Sequence, residues 1–364
     1  MKILILTNND LGLYKFRREL IENLCTNHDV IIALPNGDFI EKLKGFGCEF
    51  IPVEFNRRGI NPFSDLKQIN TYRKLIKEQK PNIVLTYTIK PNIYGGIACR
   101  LTKTPYLSNV TGLGTAVENG GALGFIAIFL YRIGLKKANC VLFQNTQNLK
   151  IFERKNIVKK NTRLIPGSGV NLLEHYLEEY PSDSAGIHFL FIGRIMKDKG
   201  IEELINAFKI VQKRYPSASL DVVGGCDEDY LNLLKTEKPE LHIKYHGQQP
   251  NVHNFLKNAH CTVLPSYHEG TANVMLESAS TGRPVITTRV AGCRETFDEG
   301  ATGFGCDAGD TDSLVDAMIR FIELPFECKA AMGAAGREKM MREFDRNIVI
   351  ETYLDELKNL GIGE

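Results

Sequence analysis

The sequence lacks a long uninterrupted apolar segment. Its longest apolar run, Ala122 to Tyr131, has ten residues and is followed by Arg132. A helix needs about 20 apolar residues to cross a bilayer, so we predict no transmembrane helix. The chain begins Met-Lys and continues directly into the strand-like Ile3–Leu6, without the apolar core of a signal peptide. We therefore expect a cytoplasmic protein.

Several short functional motifs are also missing. None of the nine cysteines forms a C-x-x-C pair, and most lie in apolar stretches. This predicts reduced core thiols, with no metal site and no disulfide framework. No G-x-G-x-x-G follows the first strand, which disfavours a nicotinamide dehydrogenase, and no G-x-x-x-x-G-K-[ST] is present, which disfavours a P-loop kinase.

Length and periodicity define the fold class. The 364 residues are 43% hydrophobic and 24% charged, as in globular proteins, and suffice for roughly two domains. In both halves, short apolar strands alternate with helically spaced segments, which predicts α/β domains with parallel sheets. The segment 180–186 is rich in Pro, Ser and Gly and is the predicted linker, so we place the first domain at 1–180 and the second at 187–345. The tail from Pro325 to Leu360 reads as helical throughout.

The charge is unevenly distributed. Residues 1–180 contain 25 Lys and Arg against 15 Asp and Glu, whereas residues 181–364 contain 20 against 28. A basic first half suggests an acidic partner, either nucleic acid or an anionic membrane surface; chance distribution of solvated charges remains an alternative. The basic half has no tract combining Arg with aromatic residues, so we expect no nucleic-acid partner.

The first feature with chemical potential is Ser266–Glu277. A strand ends at Leu264 and a helix is predicted to start near Ala272, so the amides of Gly270, Thr271 and Ala272 can hold an anion or the polar edge of a sugar. Glu269 lies in the loop and Glu277 about one turn into the helix. Carboxylates suit pairs of adjacent hydroxyls, as on ribose or a hexose. The alternative is two ordinary surface charges.

The second feature is Gly193–Gly200, between a predicted strand and the helix that starts at Ile201. Arg194 presents a planar fork to phosphate oxygens, and Lys199 a point charge. Together with a helix N-terminus they can neutralise a diphosphate without a metal. Surface Lys and Arg are common, so this string alone is weak. The two features need each other, because glutamates beside a phosphate require cations to offset their charge.

These residues resemble a known family. Glu269 and Glu277, separated by seven residues, are similar to the E-x(7)-E motif of retaining glycosyltransferase family four, and Arg194 and Lys199 resemble its diphosphate-binding pair. The segments 7–17 and 111–114 resemble a bacterial subgroup acting on undecaprenyl-diphosphate-linked sugars, which includes N-acetylgalactosaminyl and other hexosaminyl transferases of capsule, O-antigen and N-glycan assembly.

The resemblance implies a GT-B fold: two Rossmann-like domains facing across a cleft, with a C-terminal helix (346–364) crossing back to the first domain. It implies catalytic roles for Glu269, Arg194 and Lys199, with Glu269 on the donor sugar and Glu277 on the ribose. The remaining expected donor contacts are Gly12, Gly193, Gln248, Gly270, Thr271, Ala272 and Asn273. The expected acceptor residues are Tyr14, Arg17, Asn109 and Glu118. This chain departs from many relatives in having Asp10-Leu11-Gly12 where they carry a diglycine.

The expected activity is transfer of a hexose or N-acetylhexosamine from a UDP-sugar to a lipid-linked saccharide with retention, without a cofactor or metal. The alternatives are a UDP-sugar 2-epimerase or hydrolase on the same fold, and a non-catalytic nucleotide-sugar-binding module. We expect peripheral binding to the inner face of the membrane through basic pairs, and other glycosyltransferases of the pathway as partners. These pairs are Arg17-Arg18, Arg57-Arg58, Lys136-Lys137 and Lys159-Lys160. Segment 125–135 suits either the membrane interface or, preferably, a buried core helix.

Overall fold

The computed structural model describes residues 1–54, 62–112, 121–158, 161–226, 230, 234 and 241–361. The chain divides into two compact units. The first comprises Met1–Ser168 and Asn347–Glu364, and the second Gly169–Arg346. The last helix therefore belongs to the first unit, where Tyr353 Oη accepts a hydrogen bond from Asn109 Nδ2 at 2.8 Å.

The first unit contains a seven-stranded parallel sheet with the order β3-β2-β1-β4-β5-β6-β7. Its strands are β1 (Lys2–Leu6), β2 (Asp29–Leu34), β3 (Glu49–Pro52), β4 (Ile83–Tyr87), β5 (Tyr106–Val110), β6 (Cys140–Phe143) and β7 (Thr162–Leu164). Its helices are α1 (Asp10–Asn27), α2 (Ile40–Lys44), α3 (Pro62–Gln79), α4 (Gly96–Thr102), α5 (Gly121–Leu135), α6 (Thr146–Arg154) and α12 (Arg346–Asn359), with a π-helical turn at Pro91–Gly95 before α4.

Both faces of this sheet are covered. Successive side chains of β1 alternate, so that Ile3 and Ile5 pack in one core with helices α1 and α12. Leu4 and Leu6 pack in a second core, on the side of α3, α4, α5 and α6. Burial on both faces explains why these strands read as nearly continuous apolar runs.

The second unit contains a six-stranded parallel sheet with the order β10-β9-β8-β11-β12-β13. Its strands are β8 (His188–Ile192), β9 (Ser219–Val223), β10 (Ile243–Tyr245), β11 (Cys261–Leu264), β12 (Val285–Thr288) and β13 (Gly303–Cys306). Its helices are α7 (Ile201–Arg214), α8 (His253–Asn258), α9 (Asn273–Ser280), α10 (Thr311–Ile322) and α11 (Phe326–Glu343), with 3-10 turns at Lys197–Lys199 and Arg294–Thr296. The two Rossmann-like parallel sheets confirm the predicted fold class.

The sequence did not reveal two short edge strands, and it did not reveal a break in the tail. Strands β7 and β13 have three and four residues, and the Gly-Phe-Gly-Cys of β13 carries little strand propensity. The predicted continuous tail helix is wrong, because α11 and α12 are separate. At the break, Val170 N donates to Phe344 O at 2.8 Å and Arg346 N donates to Val170 O at 3.1 Å.

The predicted linker, 180–186, lies inside the second unit rather than at its boundary. The preceding segment is held by the fully buried Arg283, whose guanidinium donates to Glu178 O and Glu179 O at 3.2 and 2.6 Å. Tyr180 Oη also donates to His260 O at 3.0 Å. Composition alone suggested a linker between domains, but these long-range contacts anchor residues 178–180 within the second unit.

All nine cysteines are free thiols, and six of them are buried. The buried ones are Cys48, Cys99, Cys140, Cys261, Cys293 and Cys306.

A buried histidine joins the start of β8 to the start of β11. His260 Nδ1 accepts from His188 N at 3.0 Å, while its Nε2 lies 3.1 Å from Ser182 O. Accepting at one nitrogen and donating from the other requires the neutral imidazole. Burial lowers the pKa of His260 below 6.5, against the opposing effect of the Ser182 carbonyl.

We expect this histidine to make the second unit sensitive to mild acid. Below pH 6.5 the unfolded chain binds a proton at His260 that the folded chain does not, so stability falls as pH falls, by up to about 1.4 kcal/mol per pH unit until the lowered folded pKa is reached. Hydrogen exchange of the β11 amides, measured across this range, should show the slope in the natural protein and a shallower one in His260→Gln. Equal slopes would contradict the assignment.

Candidate active site

The candidate site lies at one edge of the second unit's sheet. Loops that follow β8, β9, β10, β11 and β12 meet there, because the carboxyl ends of parallel strands share an edge. Both motifs identified in the sequence are in these loops: Gly193–Gly200 follows β8, and Ser266–Gly270 follows β11. The loops contribute most of the predicted donor contacts.

The two motifs meet through an ion pair. Lys199 Nζ lies 2.5 Å from Glu269 Oε1, and the two side chains are only 17% and 14% exposed. Partial burial weakens solvent screening, so this attraction is stronger than that of a surface pair. The pair satisfies the requirement derived from the sequence, that the glutamate of one motif needs a cation from the other.

Backbone contacts fix the two loops to each other. Tyr267 N donates to Asp198 O at 2.9 Å, and Ser266 Oγ donates to the same carbonyl at 3.1 Å. Gly200 has a φ of +68°, and a β-carbon there would lie 2.2 Å from Pro265 O. Glycine is therefore required at this position, both for the left-handed conformation and for the close approach of the loops.

The loop after β12 packs against the backbone of Glu269. A β-carbon on Gly292, whose φ is +83°, would lie 2.5 Å from Glu269 O. Gly292 O also accepts from Ala272 N at 2.7 Å. The expectation that the Ala272 amide is open to a ligand is therefore wrong: the start of α9 uses it to bind the neighbouring loop.

A second group of residues in the site surrounds the glycines after β8 and β9. Gly193 N donates to Val223 O at 2.9 Å, and a β-carbon on Gly224 would lie 1.7 Å from Gly193 O. A β-carbon on Gly225 would lie 3.2 Å from Gln248 Oε1, so this predicted donor contact adjoins the same backbone. Glycine at 224 therefore allows the loops after β8 and β9 to pack at backbone contact.

Three further predicted residues flank these contacts. Arg194 directly follows Gly193 and is exposed, whereas Asn273 and Glu277 lie on α9 and are half-buried. Asn273 Oδ1 is buried, and no described residue donates a hydrogen bond to it. An unsatisfied acceptor at the start of α9 suits a ligand hydroxyl or amide.

Cys293 is buried within electrostatic range of the Lys199–Glu269 pair. Burial, reinforced by the charge of Glu269, raises the pKa of its thiol to about 12. The thiol is therefore protonated near neutral pH and is not an activated nucleophile. Within the described part of the chain, no group of three or more His, Cys, Asp or Glu side chains is placed to hold a metal ion.

The first unit holds the other predicted site residues, and the structure gives several of them local partners. Gly12 N donates to Asn9 Oδ1 at 2.5 Å, capping α1. The Tyr14 ring packs against Phe39, with centroids 5.0 Å apart.

Arg17 is buried, with its guanidinium 5.4 Å from the centre of the Tyr87 ring. Asn109 is also buried in the contact with Tyr353, and Glu118 lies outside the described residues. Acceptor roles for these residues remain predictions.

The structure adds positions that sequence reasoning did not assign to the site. Gly224 and Gly292 provide close backbone approaches, and Tyr267 Oη donates to Glu203 Oε1 at 2.6 Å, tying the β11 loop to α7. The sequence did contain a signal for Gly224, because the pair Gly224-Gly225 directly follows strand β9. Gly292 gave no such signal, because its role depends on contact with a different loop, the one that follows β11.

Comparison with known proteins matches each half of the chain to a family. Residues 2–145 match Glycosyl transferase 4-like, and residues 174–339 match Glycosyl transferases group 1. The chain belongs to these glycosyltransferase families. The motif pair joined by Lys199 and Glu269 therefore lies in the group 1 region of a glycosyltransferase.

Two curated relatives span nearly the whole glycosyltransferase. One is the N,N'-diacetylbacillosaminyl-diphospho-undecaprenol alpha-1,3-N-acetylgalactosaminyltransferase of Campylobacter jejuni, 24% identical and covering 97% of both chains. The other is the capsular polysaccharide biosynthesis glycosyltransferase CapM of Staphylococcus aureus, 29% identical over 93% of this chain and 91% of the relative.

Solved structures confirm the GT-B architecture. Anabaena Alr3699/HepE, in complex with UDP and glucose, has a TM-score of 0.80 at 16% identity, covering 99% of this chain and 100% of its own. Sucrose-phosphate synthase from Thermosynechococcus elongatus has a TM-score of 0.81 at 20% identity and full coverage of both chains. In the described residues of the glycosyltransferase, no helix is both long and apolar enough to span a bilayer.

Proposed function

We propose that this glycosyltransferase moves a hexose or N-acetylhexosamine from a UDP-sugar to a lipid-diphosphate-linked saccharide, with retention at the anomeric carbon. The observation that carries the proposal is the Lys199–Glu269 pair at the carboxyl edge of the sheet. Support for the substrates comes from the names of relatives: one uses a diphospho-undecaprenol acceptor, and a structural neighbour binds UDP and glucose.

Breaking the bond between sugar and UDP places negative charge on the departing β-phosphate and positive charge on the sugar. In this proposal, Arg194 and Lys199 stabilise the phosphate charge together with backbone amides of the loops. Glu269 holds donor-sugar hydroxyls beside the reacting carbon. Because it also pairs with Lys199, it orients that ammonium toward the diphosphate.

The nucleoside end of the donor lies along the other part of the site. Glu277 accepts from the two ribose hydroxyls, an arrangement that a two-oxygen acceptor favours. The backbone around Gly224, with Gln248 alongside, adjoins the base. In this assignment two side-chain cations, Arg194 and Lys199, neutralise the diphosphate. The departing phosphate serves as the base for the acceptor hydroxyl.

The decisive experiment offers a panel of radiolabelled UDP-sugars together with a membrane lipid extract and analyses the labelled lipid. We expect one UDP-sugar to label a lipid, with the anomeric configuration of the donor preserved in the product by NMR. Free sugar or an epimerised UDP-sugar without labelled lipid would instead establish the hydrolase or epimerase alternative. UDP binding without any turnover would reduce the chain to a binding module.

The proposed acceptor also places the enzyme in the cell. A lipid-linked saccharide is held in a bilayer, so we propose that the enzyme works in the cytoplasm, peripherally at the inner face of the membrane. Other glycosyltransferases that extend the same lipid-linked saccharide are its proposed neighbours.

A further inference from the structure

One helical layer of the first unit exposes large apolar side chains. Helices α3, α4 and α5 cover the same side of the sheet, and their outward surface is here called the α3–α5 face. Phe63 and Phe125 are 87% and 75% exposed, more than is usual for phenylalanine. The other exposed apolar side chains of this face are Leu66, Leu101, Leu123, Ile126 and Phe129.

The outward stripe of α5 is apolar first and then basic. Phe125, Phe129, Arg132 and Lys136 follow one another at helical spacing, and all are exposed. The opposite side of α5 is buried, and the segment Gly121–Leu135 contains no acidic residue. The core helix predicted here is therefore buried on one side only. A helix that is apolar on all sides normally has a cover on all sides.

An apolar groove continues the face between α3 and α4. It has a volume of about 460 Å³, and its apolar lining comes from Phe63, Leu66, Ile69 and Leu101. Lys67 and Arg73 also line it, so apolar walls and cations occur together.

Helix α4 packs against both neighbours and makes the face continuous. Its Leu101 lines the groove with α3. On the other side, Arg100 Nη1 donates to Ile133 O of α5 at 2.7 Å. A β-carbon on Gly96 would lie 2.3 Å from Gly134 O, so the two helices cross at backbone contact. The groove and the α5 stripe therefore belong to neighbouring helices of one layer.

Basic side chains border this apolar surface. The exposed ones are Lys67, Arg73, Lys74 and Lys77 on α3, Lys103 after α4, and Arg132, Lys136 and Lys137 at the end of α5. Of the two acidic residues on α3, Asp65 is buried and lies 3.8 Å from Lys90, which leaves Glu78 at the surface. The charge of this border is complementary to that of anionic lipid.

We propose that the α3–α5 face docks on an anionic phospholipid bilayer. The phenylalanines of α5 and α3 enter the boundary between headgroups and acyl chains, and the basic border contacts lipid phosphates. This deepens the proposed function and rests on it, since a lipid-linked acceptor requires the enzyme at a bilayer. Of the basic pairs suggested by the sequence, Lys136-Lys137 belongs to this face, Arg17 is buried, and Arg57-Arg58 and Lys159-Lys160 lie outside the described residues.

The test measures cosedimentation of the full chain with vesicles of phosphatidylcholine, with and without phosphatidylglycerol. We expect binding only to the anionic vesicles, weakening as salt is raised. Phe125→Gln/Phe129→Gln should lower the partition coefficient by about tenfold or more, from the lost apolar burial. Lys136→Gln/Lys137→Gln should lower it by roughly 25-fold, at about a fivefold loss for each charge.

Matched controls lie in the second unit. Leu173 is 90% exposed and Lys213 is exposed, so Leu173→Gln and Lys213→Gln should bind vesicles like the natural protein. The proposal is overturned if the natural protein ignores anionic vesicles, or if the phenylalanine variant, folded by circular dichroism, binds unchanged. A dimer in solution that the phenylalanine substitutions dissociate would also overturn it, by showing that a second copy covers the face.

Turnover with a detergent-dispersed lipid acceptor separates this proposal from the proposed function. We expect the phenylalanine and lysine variants to retain it, because none of these residues is assigned to the reaction. If the natural protein transfers sugar to the dispersed acceptor but does not bind anionic vesicles, only the docking face is rejected. Vesicle binding without turnover of any UDP-sugar would reject the proposed function and leave the face standing.

Discussion

Glu269→Ala is expected to abolish sugar transfer while leaving the fold intact. The side chain lies in a loop, is 14% exposed, and contributes its ion pair with Lys199 rather than core packing. Its removal eliminates the proposed hydrogen bonds to the donor sugar, and Lys199 loses the ion pair that orients it. The measurement is transfer to the lipid acceptor, accompanied by a thermal unfolding scan. Glu269→Gln, which keeps the shape but not the charge, should recover little activity.

Lys199 should act together with Glu269 as one functional pair. Lys199→Ala is expected to lower kcat by about 10²–10³-fold, the usual effect of removing one group that stabilises a developing negative charge. Since each residue positions the other, Glu269→Ala/Lys199→Ala should be no worse than Glu269→Ala alone, rather than showing the product of the two effects.

The control is a glutamate with a similar ion pair but no place in the site. Glu323 Oε1 accepts from Arg214 Nη2 at 2.6 Å on the surface of the second unit. Glu323→Ala should leave transfer unchanged, since exposed pairs contribute little. Full activity in Glu269→Ala would remove the site assignment, and with it the proposed mechanism.

Arg283→Met is expected to lower the free energy of unfolding of the second unit by about 3–5 kcal/mol, because several buried carbonyls lose their donor at about 1–3 kcal/mol each. Arg283 is completely buried, and its guanidinium donates only to carbonyl oxygens among the described residues. These belong to Glu178, Glu179, Leu256, Lys257 and Gly282, at 2.6–3.2 Å. Methionine fills much of the volume but leaves these carbonyls without their donor.

Two other substitutions sharpen this prediction. Arg283→Lys should be nearly as damaging, because an ammonium has three donors and lacks the planar fork that reaches carbonyls on two sides. Arg214→Met, at a 59% exposed arginine, should change stability by less than about 0.5 kcal/mol. Urea unfolding with limited proteolysis of the second unit provides the measurement. Stability in Arg283→Met equal to that of Arg214→Met would show that the carbonyls find other donors.

Arg283 also explains why the domain boundary was difficult to predict. Its carbonyl partners come from the segment before the predicted linker and from α8. The composition of 180–186 resembles that of a linker. The side chain that holds the neighbouring segment lies about a hundred residues away, as the hydrogen bond to Glu179 shows. Local composition contains no trace of such a contact.

Much of the candidate site was accessible from sequence because it is built from local rules. Strands that end in glycine and polar residues place those residues at one sheet edge, and the loop before α9 begins where the pattern changes from strand to helix. The spacing of Glu269 and Glu277 is likewise a local property. The hydrogen bond of the Ala272 amide could not be predicted from local sequence, because its acceptor, Gly292 O, belongs to a different loop.

The sequence by itself determined the two parallel α/β sheets, the carboxyl-edge loops and the residues that carry charge into them, since strand and helix periodicity, glycine placement and charge type are properties of neighbouring residues. Only the tertiary structure decided that Lys199 meets Glu269, that Arg283 anchors the segment before the predicted linker, and that one side of α5 is exposed. Each of these depends on which distant segments pack together, and packing is a property of the whole chain.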